Sequence, residues 1–355
     1  MADVRPFRAV RYARPTDAVT TPPYDVIDLD QRRELLARDP HNIAHLTLEP
    51  DPAIAGTQLR QWLADGVLVR DETPAVWWLE QDFVGPDGVR RSRHGIVASL
   101  GVEPYATGAV LPHERTHPGP IEGRLALLRA TRTQLEPIFL LYEDPPPIEA
   151  PRWAPEMQLA DVRLWRIDGD HGVHEFFADR QVLIADGHHR YETAVAFAAE
   201  DGADRILAVL VSATDPGLAV FPTHRVFVGR PDVDPPGEPF ASVGDALGAL
   251  DEEPAARSAA VLVRADEIRL VRGGAGELDV ELVDRFGHGG LSYTPDGGEA
   301  VRRVASGEAD SAFLLRPLRV ADVFARARIG KTMPPKATYF FPKLLSGLLL
   351  QPVDA

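Results

Sequence analysis

Val182-Leu-Ile-Ala-Asp-Gly-His-His-Arg-Tyr-Glu-Thr193 joins an apolar run to an alanine-rich helical pattern through an Asp-Gly turn. Val182 to Ala185 has the composition of a buried strand. Asp186-Gly187 signals the turn. From His189 to Ala199, the residues Tyr191, Ala194, Val195 and Ala198 share one helical face, and Gly202 stands past the end. A strand pattern, Ile206 to Val211, follows. This order predicts a strand-helix-strand crossover and leaves open whether its strands run parallel.

The unit sets two histidines and an arginine where a strand hands over to a helix. A helix start carries a partial positive charge. Arg190 keeps its charge and offers a planar fork of donors that suits phosphate. Gly187 lets the backbone approach a ligand or take a positive φ. The bland alternative is a helix capped by Asp186 with ordinary surface histidines. The density of polar side chains favours an anion site. Asp186, Gly187, His188, His189 and Arg190 are therefore expected at nucleotide phosphates, with Asp186 as organiser.

Further out, Leu29 to Arg38 and Ile54 to Ala64 read as helices. Val76 to Val84 and Val89 to Leu100 read as a hairpin around Gly85-Pro-Asp-Gly88. Pro112 to Glu122 is proline-broken and predicts a loop, followed by a short helix over Leu125 to Thr131 and a strand over Ile138 to Tyr142. Pro145 to Pro151 and Asp232 to Gly237 are breaks. Ala259 to Val263 and Ile268 to Val271 suggest a second hairpin, Ser311 to Leu315 a strand and Val320 to Ala327 a helix.

Composition narrows the function. The chain has 355 residues, which predicts one large domain or two to three subdomains. Its net charge of −15 weighs against a broad phosphate-backbone surface, so no nucleic-acid partner is expected. It also weighs against docking on an anionic membrane. A small anionic ligand in a local pocket remains compatible. There is no cysteine, which removes thiolate catalysis and zinc-thiolate sites. No stretch approaches 18 consecutive apolar residues and the first residues lack a signal-peptide core, so a cytoplasmic protein is expected. Oligomeric state leaves no mark in the sequence.

Other stretches carry candidate chemistry. His113-Glu-Arg-Thr-His117 matches the H-E-x-x-H spacing, which on a helix binds zinc. Pro118 pushes His117 out of helical geometry, so the stretch reads as a loop whose His113, Glu114 and Thr116 line a site. Pro22-Pro-Tyr-Asp-Val-Ile27 reads either as a surface turn leading into the following helix or as a site segment with Asp25 a base or magnesium ligand, and the residues alone do not choose. In Pro334-Pro-Lys-Ala-Thr-Tyr-Phe-Phe-Pro-Lys343, Lys336 and Thr338 are placed to meet phosphate while the aromatics anchor the segment. Asp168 to Glu175 holds metal-type ligands but fits no metal motif, and no metal site is assigned. No G-x-x-x-x-G-K-[ST] occurs.

With these residues in view, the chain resembles domain-of-unknown-function family 1015. The matching stretches are Arg5 to Ala9, Pro22 to Ile27, His113 to Thr116, Ala185 to Thr193, Thr223-His-Arg225 and Met333 to Lys343. Two departures stand out. Serine is usual where Ala337 stands, and a lysine with a charged residue is common where this chain has Gly119-Pro-Ile-Glu122. The Asp186-Gly-His-His-Arg190 turn is also similar to the D-G-x-H-R box of ParB-like and sulfiredoxin-like proteins. That superfamily includes DNA-segregation CTPases and free-serine kinases, and its box contacts nucleotide phosphates.

The resemblance implies an α+β fold with a mixed sheet core, a ParB/sulfiredoxin-like strand-helix nucleotide site and an additional α/β subdomain. Residues 1–230 would form the main region, 231–310 a smaller subdomain, and 311–355 a segment returning to the site. The implied function is a nucleotide-dependent phosphotransferase, using ATP or ADP with Mg2+ on a small hydroxylated metabolite such as free L-serine. Asp25 or Glu114 would be the catalytic base. Tyr24, His113, Thr116, His224 and Arg225 would contact substrate. The alternatives are a ParB-like nucleotide-hydrolysing regulator that does not bind DNA, and a zinc hydrolase built on His113, Glu114 and His117.

Overall fold

The computed structural model describes residues 1–116, 118–229, 234–287 and 290–354. Ile138–Tyr142, Val182–Asp186 and Arg205–Ser212 are buried along nearly their whole length. Continuous burial of this kind belongs to strands covered on both faces. They sit in a mixed nine-stranded sheet. Its order is Val110–Leu111, Val182–Asp186, Ile138–Tyr142, Arg205–Ser212, Arg90–Gly101, Ala75–Val84, Val162–Asp168 and Met157–Gln158. Val4–Arg5 pairs with Arg90–Gly101 off that path. The fold is α+β with a mixed sheet core, as the sequence predicts.

The strands on either side of the helix His188–Asp201 do not run parallel. Val182–Asp186 is antiparallel to Ile138–Tyr142, which is parallel to Arg205–Ser212. The chain therefore returns antiparallel with one strand between. The predicted hairpin is present, with Val84 opposite Arg90 across the Gly85 turn.

A six-stranded antiparallel sheet forms the second layer. Its order is Glu238–Pro239, Ile268–Ala275, Arg257–Val263, Ser311–Leu314, His224–Phe227 and Leu291–Thr294. Ser311–Leu314 and His224–Phe227 lie outside the 231–310 stretch expected for the smaller subdomain. Pairing of Arg225 with Phe313 and of Val261 with Leu314 draws them in.

Successive strand residues point to opposite faces. Leu183 joins one apolar cluster and Ile184 the other. The first cluster runs from the main sheet through Phe340 and Leu344 to Phe227 and Phe313 of the second sheet. The other packs Ile138 and Ile184 against Tyr191, Ala194 and Phe177. Phe340 is 1% exposed and lies 6.0 Å from Phe139, centroid to centroid. Burying one phenylalanine is worth about 1.5–3 kcal/mol. The aromatic tail is thus held onto the sheet beside the turn at Asp186.

One predicted loop is helical. The helix Pro118–Thr131 begins inside the stretch expected to be irregular and absorbs the short helix expected over Leu125 to Thr131. The prolines fall in its first turn, where N–H groups have no intrahelical partner to lose. Asp168 to Glu175 also ends in structure, since Asp170 accepts from the backbone N–H groups of Gly172 and His174 at the start of the helix Val173–Phe177.

Candidate active site

The turn after Val182–Asp186 is set by its glycine. Gly187 has φ +97°, and a Cβ there would meet Ile138 Cγ2 at 2.8 Å and Arg190 Nε at 3.1 Å. Only glycine leaves room for the arginine to fold back under the turn. No side chain caps the helix start that follows. Asp186 is turned instead toward two cations.

Arg190 is 7% exposed. Its Nη2 donates to Asp186 Oδ2 at 2.6 Å and its Nη1 to the Pro137 carbonyl. Lys343 Nζ donates to Asp186 Oδ1. Burial pushes the Asp186 carboxyl upward, but Lys343 and Arg190 outweigh it and hold the group below the usual carboxylate range. Asp186 is thus an ionised clamp between the helix and the tail. Arg190 lines the cleft, and one N–H on each Nη is already engaged by a protein partner, so the side chain braces the turn before any ligand arrives.

The two histidines differ. His188 is buried, and its Nε2 accepts from the backbone N–H of His113 at 3.2 Å and of Glu114 at 3.4 Å. An imidazole nitrogen that accepts carries no proton. Burial, and then the neighbouring His113, draw the His188 pKa well below its ordinary value. This Nε2 holds the loop at residues 113–114 and cannot itself donate to a ligand; the ring's proton sits on Nδ1, and His188 lines the cleft. His189 lines the cleft.

The cleft has a volume of about 220 Å³. Ten of the predicted site residues line it: Tyr24, Asp25, Glu114, Asp186, Gly187, His188, His189, Arg190, Lys336 and Thr338. Larger hollows exist, one of about 690 Å³ beside Glu281 and Lys331. The gathering of titratable groups around a strand end singles out the smaller one.

The tail reaches the cleft through a strained turn. Lys336 has φ +54°. The buried Arg225 donates from Nη1 to the Lys336 carbonyl at 2.9 Å and to the Thr223 carbonyl at 2.6 Å, and from Nη2 to the Pro335 carbonyl at 3.3 Å. Arg225 therefore shapes the backbone that presents Lys336. It does not line the cleft, and its predicted substrate contact is corrected to that of a support. His224 is likewise internal: its Nδ1 accepts from the Leu315 N–H at 3.1 Å. Thr116 is spent too, since its hydroxyl donates to Glu192 Oε2 at 2.6 Å and ties its loop to the helix.

His113 lies behind the lining, 1% exposed. Its Nδ1 donates to the Ile184 carbonyl at 2.5 Å, and its Nε2 is 3.1 Å from Thr338 Oγ1. Both ring nitrogens are engaged, and the helix begins only at Pro118, so His113 is not placed as a helical zinc ligand. His117 lies outside the described residues.

Four positions in or braced against the cleft were not assigned from the sequence: Lys343, Glu136, Arg124 and Thr223. Glu136 is buried and accepts from Tyr24 N–H at 3.0 Å, Ser346 Oγ at 2.8 Å and Arg124 Nη1 at 3.4 Å. It ties the Tyr24 turn to the tail. The Arg124 guanidinium lies 3.5 Å over the Tyr24 ring. Thr223 lines the cleft, and its Oγ1 is buried without a hydrogen-bond partner. Of the four, Lys343 and Thr223 left a signal, each at one end of a matching stretch, Met333 to Lys343 and Thr223-His-Arg225.

The DUF1015 family, described as "Protein of unknown function", matches residues 4–261, and the chain belongs to it. No curated protein matches in sequence. Among solved structures, SbnI with a C-terminal truncation from Staphylococcus aureus is similar at 14% identity, covering 73% of this chain and 88% of that one, with a TM-score of 0.41. A free serine kinase in complex with AMP is similar at 18% identity over 66% and 84% of the two chains, TM-score 0.39. A conserved hypothetical protein from Pyrococcus furiosus is similar at 16% identity over 70% and 93%, TM-score 0.37.

Proposed function

We propose that this chain, as a member of the DUF1015 family, is a nucleotide-dependent phosphotransferase acting on a small hydroxylated metabolite, with free L-serine the acceptor that its Asp186 to Arg190 turn suggests by resemblance. One observation carries the reading. A single cleft gathers the start of the helix His188–Asp201, the cations Lys336 and Lys343, and the carboxylates Asp25 and Glu114. Phosphoryl transfer asks for this mixture: fixed positive groups around the transferring phosphoryl and a carboxylate for the acceptor hydroxyl.

Lys336 and the helix start hold the phosphates. Lys343 is shared with Asp186, so it stays fixed as the site fills. Glu114 takes the acceptor proton. Among the described residues no three histidines or carboxylates converge as a metal cluster. Magnesium is usually held by one or two carboxylates with substrate phosphates and water, and Asp25 fits that part. When bound, the ion would neutralise developing charge on the phosphates.

The test is the purified protein with L-serine, Mg2+ and either ATP or ADP, read by phosphoserine formation, alongside melting temperatures with each nucleotide. A ligand that binds only the folded form raises the melting temperature, by about 2.7 kcal/mol of stability at a hundredfold excess over Kd. Stabilisation that Lys336→Met weakens, together with phosphoserine, supports the reading. Absence of both with either nucleotide refutes it.

A further inference from the structure

Thr338 and His113 meet in an arrangement that phosphate binding does not require. His113 Nδ1 faces the Ile184 carbonyl oxygen, which only accepts, so that nitrogen carries the proton. In the neutral ring Nε2 then presents its lone pair, and the Thr338 hydroxyl 3.1 Å away donates to it. The ring is fixed edge-on against His188, 4.6 Å between centroids, and against Phe340 at 5.8 Å. The Met333 N–H donates to the His113 carbonyl at 2.7 Å, which locks the tail to the loop that carries the base. A hydroxyl bonded to a base that is itself oriented by a third group is the arrangement of an activated nucleophile. Thr338 also lines the cleft, together with Lys336 and Lys343.

We propose that Thr338 is itself a phosphoryl acceptor of this site, with His113 as its base. Thr338 Oγ1 attacks the terminal phosphorus of the bound nucleotide and forms the new O–P bond. The bond from phosphorus to the bridging oxygen breaks, and the nucleotide leaves one phosphate shorter with that electron pair. The threonine proton passes to His113 Nε2. Glu114 Oε1, 3.8 Å from that nitrogen, faces the imidazolium so formed. Lys336 and Lys343 flank the phosphothreonine. The proposal rests on the nucleotide reading of the cleft and adds to it a covalent acceptor on the protein.

The full-length protein is incubated with Mg2+ and ATP, or Mg2+ and ADP, without an acceptor, then read by intact mass and peptide mapping. One added phosphoryl group on Thr338 is expected in the wild type and in Thr338→Ser, and none in Thr338→Val. Removing a general base typically slows such a step about 100-fold or more, and His113→Gln should do so here. Melting temperatures of the nucleotide-free variants show that each is folded. A wild type that nucleotide stabilises but that gains no mass at Thr338 overturns the proposal and leaves the phosphotransferase reading standing. Labelling of Thr338→Val at the wild-type rate also overturns it. If neither nucleotide shifts the melting temperature, both readings fall together.

Discussion

Replacing Arg190 with alanine separates two roles for an arginine at this turn. A side chain waiting for phosphate can be removed from the nucleotide-free protein at little cost. Arg190 is committed before any ligand arrives: it pairs with Asp186 at 2.6 Å and donates to the Pro137 carbonyl. Both side chains of the pair are largely shielded, 8% and 13% exposed. Breaking a buried pair by removing one partner costs about 3–5 kcal/mol. A buried carbonyl left without its donor costs about 1–3 kcal/mol. The two losses belong to one network and do not add. Lys343 still compensates Asp186, so the expected loss is about 3–4 kcal/mol, near the lower end of the range for a broken buried pair.

The assay is urea unfolding of the nucleotide-free protein near neutral pH, for wild type, Arg190→Ala and Arg190→Lys. Lysine keeps the charge but lacks the planar fork that serves Asp186 and Pro137 together, so Arg190→Lys should fall between the other two. An unchanged midpoint for Arg190→Ala, with nucleotide stabilisation abolished, would refute the organiser role. It would return Arg190 to direct phosphate contact.

Two further outcomes test the frame around the cleft. Gly187→Ala forces a side chain into a left-handed conformation, worth about 1–2 kcal/mol, and drives its Cβ against Ile138; urea unfolding should show at least that loss, and a wild-type midpoint would contradict the tight turn. His224 should make the protein acid-sensitive. Burial above all draws its pKa down to about 4, so it stays neutral in the fold while the unfolded chain takes up a proton below about pH 6.5. Its stabilisation is complete above that value and declines as pH falls toward 4, by about 2 kcal/mol between pH 7 and pH 5. His113 and His188 shift in the same direction. Unfolding curves at the two pH values should show a smaller difference in His224→Asn than in the wild type, and an equal difference would exclude His224 as a source.

What the sequence revealed and what it hid divide along physical lines. The strand end at Asp186, the hairpin at Gly85 and the aromatic tail were readable because strand alternation, turn residues and proline breaks are local signals. The convergence of Tyr24, Glu114, Asp186 and Lys336 on one cleft followed from grouping unusual polar stretches and resemblance. The helix at Pro118 stayed hidden because proline in a first turn looks like proline in a loop. The antiparallel return after the helix depends on Ile138–Tyr142 inserting between two strands, which is a long-range pairing. Arg225, His224 and Thr116 were recognised as special but given the wrong task. Polar residues that brace a site from within carry the same letters as those that touch a ligand; only their burial and partners separate them. Glu136 was invisible for the same reason, a lone glutamate in an apolar stretch, two of whose three partners, Tyr24 and Ser346, come from distant parts of the chain.

The charge balance bears on how a chain of net charge −15 would hold the proposed nucleotide. At physiological ionic strength charges are screened beyond about 8 Å, so a bound phosphate responds chiefly to its immediate surroundings. There Asp186 is already paired by Arg190 and Lys343, which removes the negative charge nearest the helix start. Lys336 and the partial charge of that helix start then face the carboxylates Asp25 and Glu114, and a magnesium ion held at Asp25 would tip that balance toward an anion. The acidic exterior disfavours polyanions, which must neutralise many phosphates over a wide surface. A nucleotide needs only the cleft, and a magnesium ion would lower the charge it brings past that exterior. The clamp on Asp186 thus does two jobs at once: it fixes the turn between strand and helix, and it would let a carboxylate stand beside the proposed phosphate site without opposing it.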